Sequence, residues 1–144
     1  MNSNSRKSFI YLLLLLSLDC FGQANIKFDT DTIKVDTVYF NEPDTTLKNV
    51  LRKKVNLGKV KYIFQNTGNE LLIIQMIIDN GVAYSTFTKD LIKPGGGGFI
   101  ECEFFDDNYI DGKFTKCVTV DGNFIGQDKT ICLKGYKKRK LQQK

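Results

Sequence analysis

Three cysteines beyond residue 22, Cys102, Cys117 and Cys132, stand fifteen residues apart, each inside an alternating apolar run. That spacing does not fit a zinc knuckle, whose ligands come in close pairs. If GKFTKCVTV and KTICLKG form a hairpin folded about Phe124 and Ile125, Cys117 faces Cys132, Val118 faces Ile131 and Thr119 faces Thr130. Like then sits beside like, and the register predicts a disulfide between Cys117 and Cys132 on the outer face. Cys102, in phase with Ile100 and Phe104, becomes a buried thiol. A slip of two residues separates the pair and leaves three thiols.

Other chemistries fail on residue type. There is no histidine, and Ser85 is the only serine beyond residue 22, so Ser-His, Cys-His and histidine-metal sites are excluded. A Ser85 and Lys89 pair survives formally, although STFTK alternates as a strand or loop edge does. The densest oxygen-ligand cluster, Asp106, Asp107, Asn108 and Asp111, raises calcium. DDNYIDG lacks the alternate-position ligands and the distal glutamate of an EF-hand, and Asp and Asn stabilise tight bends, so a turn explains the same residues. Glu101 and Glu103 alternate with Ile100, Cys102 and Phe104, which turns both outward and offers no acid-base pair. Four glycines, Gly95 to Gly98, precede a strand pattern and not a helix start, so they read as a Pro-Gly turn and strand entrance, not a phosphate cradle. The expectation is a protein without catalytic residues, cofactor or metal.

Arg6 and Lys7 ahead of FIYLLLLLSL read as an export signal over residues 1–22, with a cut after Gly22. Lipid on Cys20 is the alternative, disfavoured by Asp19 before it. Export, periplasmic or secreted, is therefore expected, with no transmembrane segment after processing. Residues 23–136 form one domain, and 137–144 a basic, frayed tail. Lysine and arginine number 21 against 16 acidic residues, and Lys137, Lys138, Arg139, Lys140 and Lys144 supply five of the excess. A nucleic-acid surface spreads its charge over a folded face among aromatic platforms, so no nucleic acid is expected.

Period-two alternation dominates what lies between. DTIKVDTVYF (31–40) changes phase between Val35 and Val38, which predicts a bulge or a strand that switches sheets. KVKYIFQN (59–66) sets Val60, Tyr62 and Phe64 on one face. LLIIQMII (71–78) is apolar on both faces except at Gln75, which places it mid-sandwich or beneath a covering segment. DTTLKNVLRKKV (44–55) is a short helical turn or an irregular loop. FIECEFF, GKFTKCVTV and KTICLKG complete about seven strands of an all-β antiparallel sandwich.

FQNTG (64–68), LLIIQMII, KPGGGG (93–98), GKFTKCVTV (112–120) and ICLKG (131–135) occur in the order seen in the exported bacterial family called domain of unknown function 1573, which the chain resembles over about residues 58–136. The resemblance implies an immunoglobulin-like sandwich related in shape to ASH and PapD-like domains, and export. Where the family has C-G-C-T, this chain has Asn80, Gly81, Val82 and Ala83, so no redox or metal role transfers. The expected function is a non-catalytic module that binds or scaffolds protein partners, with no small-molecule substrate. A sheet edge would accept an extended strand, and loops at Asn66, Asn69, Asn80, Gly81, Asp106, Asp107 and Asp111 would add specificity. The alternative is an electrostatic anchor that uses the basic tail on an anionic envelope surface or nucleic acid.

Overall fold

In the computed structural model, which describes residues 22–41, 54–126 and 128–140, the alternating segments form eight strands. They are β1 (Ile26–Phe28), β2 (Thr32–Phe40), β3 (Val55–Asn66), β4 (Ile74–Ile78), β5 (Ala83–Phe87), β6 (Gly97–Asp106), β7 (Gly112–Gly122) and β8 (Lys129–Arg139). One sheet has the order β1-β3-β6-β5 and the other β2-β8-β7-β4. This is the immunoglobulin arrangement of an ABED sheet on a CFG sheet, with β2 added at the edge of the second. The chain crosses between sheets from Phe28 to Thr32 and lays β2 parallel to β8, and an isolated bridge between Ala24 and Phe124 is parallel too, in a sandwich expected to be antiparallel throughout. The eighth strand beyond the expected count comes from short pieces such as β1, whose three residues are too few to show a period. The export segment, apart from Gly22, and most of DTTLKNVLRKKV lie outside the described residues.

Inward positions from both sheets close one core. Tyr62, Phe64, Leu72, Ile100, Phe104, Val118, Ile131 and Leu133 are fully buried, and each large apolar side chain withdrawn from water contributes about 1.5–3 kcal/mol. β2 carries its register shift between Lys34 and Thr37, at the phase change read from Val35 and Val38. β7 and β8 pair with Cys117 opposite Cys132, Val118 opposite Ile131 and Thr119 opposite Thr130, the expected hairpin register. At KPGGGG, Gly95 supplies the left-handed turn residue (φ 77°), and Gly97 and Gly98 open β6.

Two elements differ from the sequence reading. LLIIQMII is not central, because among the described residues β4 is the outermost strand of its sheet. Leu72 and Ile74 face the core, whereas Leu71, Ile73, Met76 and Ile78 are 42%, 37%, 51% and 38% exposed. β8 also continues through Arg139 into the segment assigned to a tail. The inward phase of Ile131 and Leu133 carries on to Lys137, which is only 2% exposed. A buried lysine requires a partner, and the fold provides one.

Candidate functional site

That partner is Asp106, the last inward residue of β6, whose predecessors in phase are Ile100, Cys102 and Phe104. Its Oδ2 accepts from Lys137 Nζ at 2.6 Å, and its Oδ1 accepts from Lys116 Nζ at 3.0 Å and from the Asn108 N–H at 3.1 Å. Lys137 Nζ also donates to the Asn108 carbonyl and lies 5.9 Å from the Phe40 ring centroid. Asp106 belongs to one sheet and both lysines to the other, so the triad clasps the sandwich shut at one end. Burial pushes the Asp106 carboxyl up, but the bonds from Lys137, Lys116 and Asn108 outweigh it and hold the group below its ordinary value of 3.8.

A carboxyl with a depressed folded-state pKa contributes stability that is present above the unfolded pKa and is lost as pH falls through the folded pKa. The affected window therefore lies below about pH 4. Urea unfolding of the native chain and of Asp106→Asn across this range should show their stability difference shrinking with acidification. A constant difference would contradict the assignment.

The remaining acidic and amide side chains near this end are engaged locally. Asn108 Oδ1 accepts from the Ile110 N–H, and Asp111 Oδ1 from the Arg139 N–H at 2.8 Å. Asp107 is exposed and lies 3.9 Å from Lys54, which also donates to the Gly81 carbonyl. Lys54 thus ties Asp107 to the turn at Asn80 and Gly81. Both turn residues have positive φ, 50° and 76°, as an Asn-Gly turn requires, and the Asp79 carboxylate accepts the Gly81 N–H. Asn80 and Gly81 are exposed directly after β4.

Asn66 and Asp106 are corrections to the expected interaction loops, because both are buried. Asn66 Nδ2 donates to the Glu70 and Ile92 carbonyls at 2.7 and 2.9 Å, and its Oδ1 accepts from the Gly68 and Asn25 N–H groups. Its own N–H and carbonyl bond to Gly96 and Gly95. The asparagine of FQNTG is a structural hub with nothing left for a partner. The glycine of the same motif is required by close approach, since a Cβ on Gly68 would meet the Gln23 carbonyl oxygen at 2.2 Å. Asn69 lies beside them, exposed, its Oδ1 accepting from the Gln23 N–H. The candidate loop residues therefore divide between opposite ends, with Asn80, Gly81, Asp107 and Asp111 at the clasp end.

Cys117 and Cys132 are joined by a disulfide between neighbouring strands, and Cys102 is a buried free thiol. Burial pushes the Cys102 thiol up, despite the Ser85 hydroxyl donating to its Sγ at 3.3 Å, so it stays protonated and unreactive. Lys116 and Lys137 are the residues that sequence reasoning missed. Their signal was phase: each occupies an inward position of its strand near a sheet end, Lys116 between Phe114 and Val118.

The open edge of β4 is the most distinctive exposed feature. At its start, Leu72 exchanges both backbone hydrogen bonds with Ile92, each at 2.9 Å, and the Ile73 N–H is taken by Asn123 Oδ1. Among the described residues, Ile74 to Ile78 pair with β7 on one side only, with a register shift between Ile74 and Met76. No charged residue occurs between Leu71 and Ile78.

A family model described as "Protein of unknown function (DUF1573)" matches residues 38–136, from the end of β2 to the late part of β8. No curated protein matches the chain. The crystal structure of a protein of unknown function from Porphyromonas gingivalis W83 superposes with a TM-score of 0.55 at 11% identity, over 84% of this chain and 50% of that one. The chain thus spans half the length of that protein, and the likeness concerns the fold. The structure of the Vibrio cholerae VesB protease overlaps with a TM-score of 0.43 at 11% identity, over 88% of this chain and 35% of that one, too distant to bear on activity. With a family model that matches most of its length, and a β-sandwich as the resemblance implied, the chain belongs to the DUF1573 family.

Proposed function

We propose that this domain is a non-catalytic binding module, and that its protein partner adds an extended segment to the edge of β4. One observation carries the reading: β4 is an uncharged edge strand whose Met76 and Ile78 remain exposed. Unprotected edges are ready templates for another strand, and stable folds blunt them with charge, bulges or short length. β4 is itself short, with five residues and a register shift between Ile74 and Met76, so what distinguishes it is its uncharged apolar side chains; the other three edges are shorter, charged or less apolar. β1 has three residues, and β2 carries a bulge with Lys34 and Asp36. β5 presents Tyr84, already packed edge-on against Phe105 at 5.0 Å, together with Ser85 and Thr86. On β4, main-chain bonds would give affinity and the exposed Met76 and Ile78 would select apolar side chains in the incoming segment. The exposed Asn80-Gly81 turn lies at the end of this edge.

The module acts after export, in the periplasm or outside the cell. The charged and apolar pattern of the first 22 residues supports this, as does a disulfide suited to an oxidising compartment. A photoreactive residue at Gln75 should yield protein adducts in the native setting, whereas one at Thr115, on the outer face of β7, should not. Met76→Lys with Ile78→Lys should remove the Gln75 adducts while leaving the melting temperature near that of the parent. Equal labelling from both positions, or adducts that persist in the double variant, would reject the reading.

A further inference from the structure

A second surface, independent of β4, lies on the outer face of β2, β8 and β7. The register shift in β2 opens a groove of about 760 Å³ there, lined among others by Lys34, Lys113, Lys134, Tyr39 and Tyr136. Strand pairing puts Lys34 beside Lys134, Lys134 beside Thr115, and Tyr136 between Thr37 and Lys113. Like charges on neighbouring strands repel. Among the described residues, the ion pairs are Lys54 with Asp107, Lys59 with Glu101, and Asp106 with Lys116 and Lys137, so none neutralises these three lysines. The opposite sheet differs: there Lys59 is paired and Lys61 covers the Phe99 ring at 4.3 Å. The two tyrosines are exposed, with no ring partner among the described residues.

We propose that this groove binds an anionic oligosaccharide, with Lys34, Lys113 and Lys134 meeting its carboxylates and Tyr39 and Tyr136 its sugar rings. Unneutralised lysines call for an anion, and exposed aromatic faces suit the C–H faces of a pyranose. Thr37, Thr115 and Asp36, also on the groove wall, offer partners for sugar hydroxyls. Asp36 separates the candidates: its carboxylate repels either anion, but it can accept from sugar hydroxyls, which the phosphodiester backbone of DNA does not offer. The groove wall also lacks the arginine that grips phosphate with two parallel bonds.

The test is fluorescence anisotropy with a labelled oligogalacturonate, a neutral oligoglucan of the same length and a single-stranded DNA. The expected result is saturable, salt-sensitive binding of the galacturonate alone. Lys34→Ala with Lys134→Ala should weaken it by about tenfold or more, a loss of about 1.4 kcal/mol per tenfold, and Tyr136→Ala should weaken it too. Met76→Lys with Ile78→Lys should leave it unchanged. A second readout needs no ligand: Lys134→Glu, which turns the repulsion with Lys34 into attraction, should raise the melting temperature. The proposal is overturned by absent galacturonate binding, by equal glucan binding, by tighter DNA binding, by an unchanged lysine variant or by a lowered melting temperature for Lys134→Glu.

Discussion

Asp106→Ala should destabilise the domain by about 3–5 kcal/mol, the cost of removing one partner from a buried ion pair. Two ammonium groups would lose their common acceptor, and Lys137, 2% exposed, has no route to water without opening the end of the sandwich. Because Asp106 and the lysines come from different sheets, the damage should appear as loss of sheet-to-sheet packing near Phe40 and Tyr109, whose rings meet at 6.0 Å. Lys116→Ala should cost less, since Lys116 is the more exposed of the two and leaves the Lys137 bond in place. Simultaneous replacement of Asp106 and Lys137 by leucine and methionine should recover much of the loss, because an apolar pair of similar volume avoids burying charge. Urea denaturation of the four proteins measures all of this. Equal stability of Asp106→Ala and the parent would show that the triad is not a clasp.

The second large effect concerns Cys117 and Cys132. A bridge that closes a loop of 15 residues restricts the unfolded chain and stabilises the fold by about 3 kcal/mol. Cys117→Ser with Cys132→Ser should therefore lower the unfolding free energy by about that amount, and added reductant should then have no further effect. In the parent chain without its first 22 residues, denaturation without reductant should expose one alkylatable thiol, Cys102. Three thiols in the oxidised protein would remove the bridge from the account.

How much of this was legible depended on whether side-chain phase or residue type controlled the outcome. The bulge in β2 showed because Val35 and Val38 cannot share a face without an extra residue. The Cys117 register showed because matching residues flank it on both strands. β4 misled because apolarity on both faces means burial only when neighbours exist on both sides, and strand order is set by pairings distant in sequence. Lys137 and Asn66 misled for the opposite reason. Their types suggest solvent, and only their inward phase at a strand end, together with partners 31 and 26 residues away, makes burial tolerable. The lysine face escaped notice because Lys34 reaches Lys134 only through the parallel pairing of β2 with β8, while Lys113 joins them through the β7–β8 hairpin.

The central functional claim is that a partner occupies the β4 edge, and amide hydrogen exchange on the complex isolated through the Gln75 adduct tests it most directly. Ile74 to Ile78 should gain protection relative to the free protein while β2 and β5 keep their exchange rates. Unchanged exchange across β4, with protection gained at another edge, would contradict it.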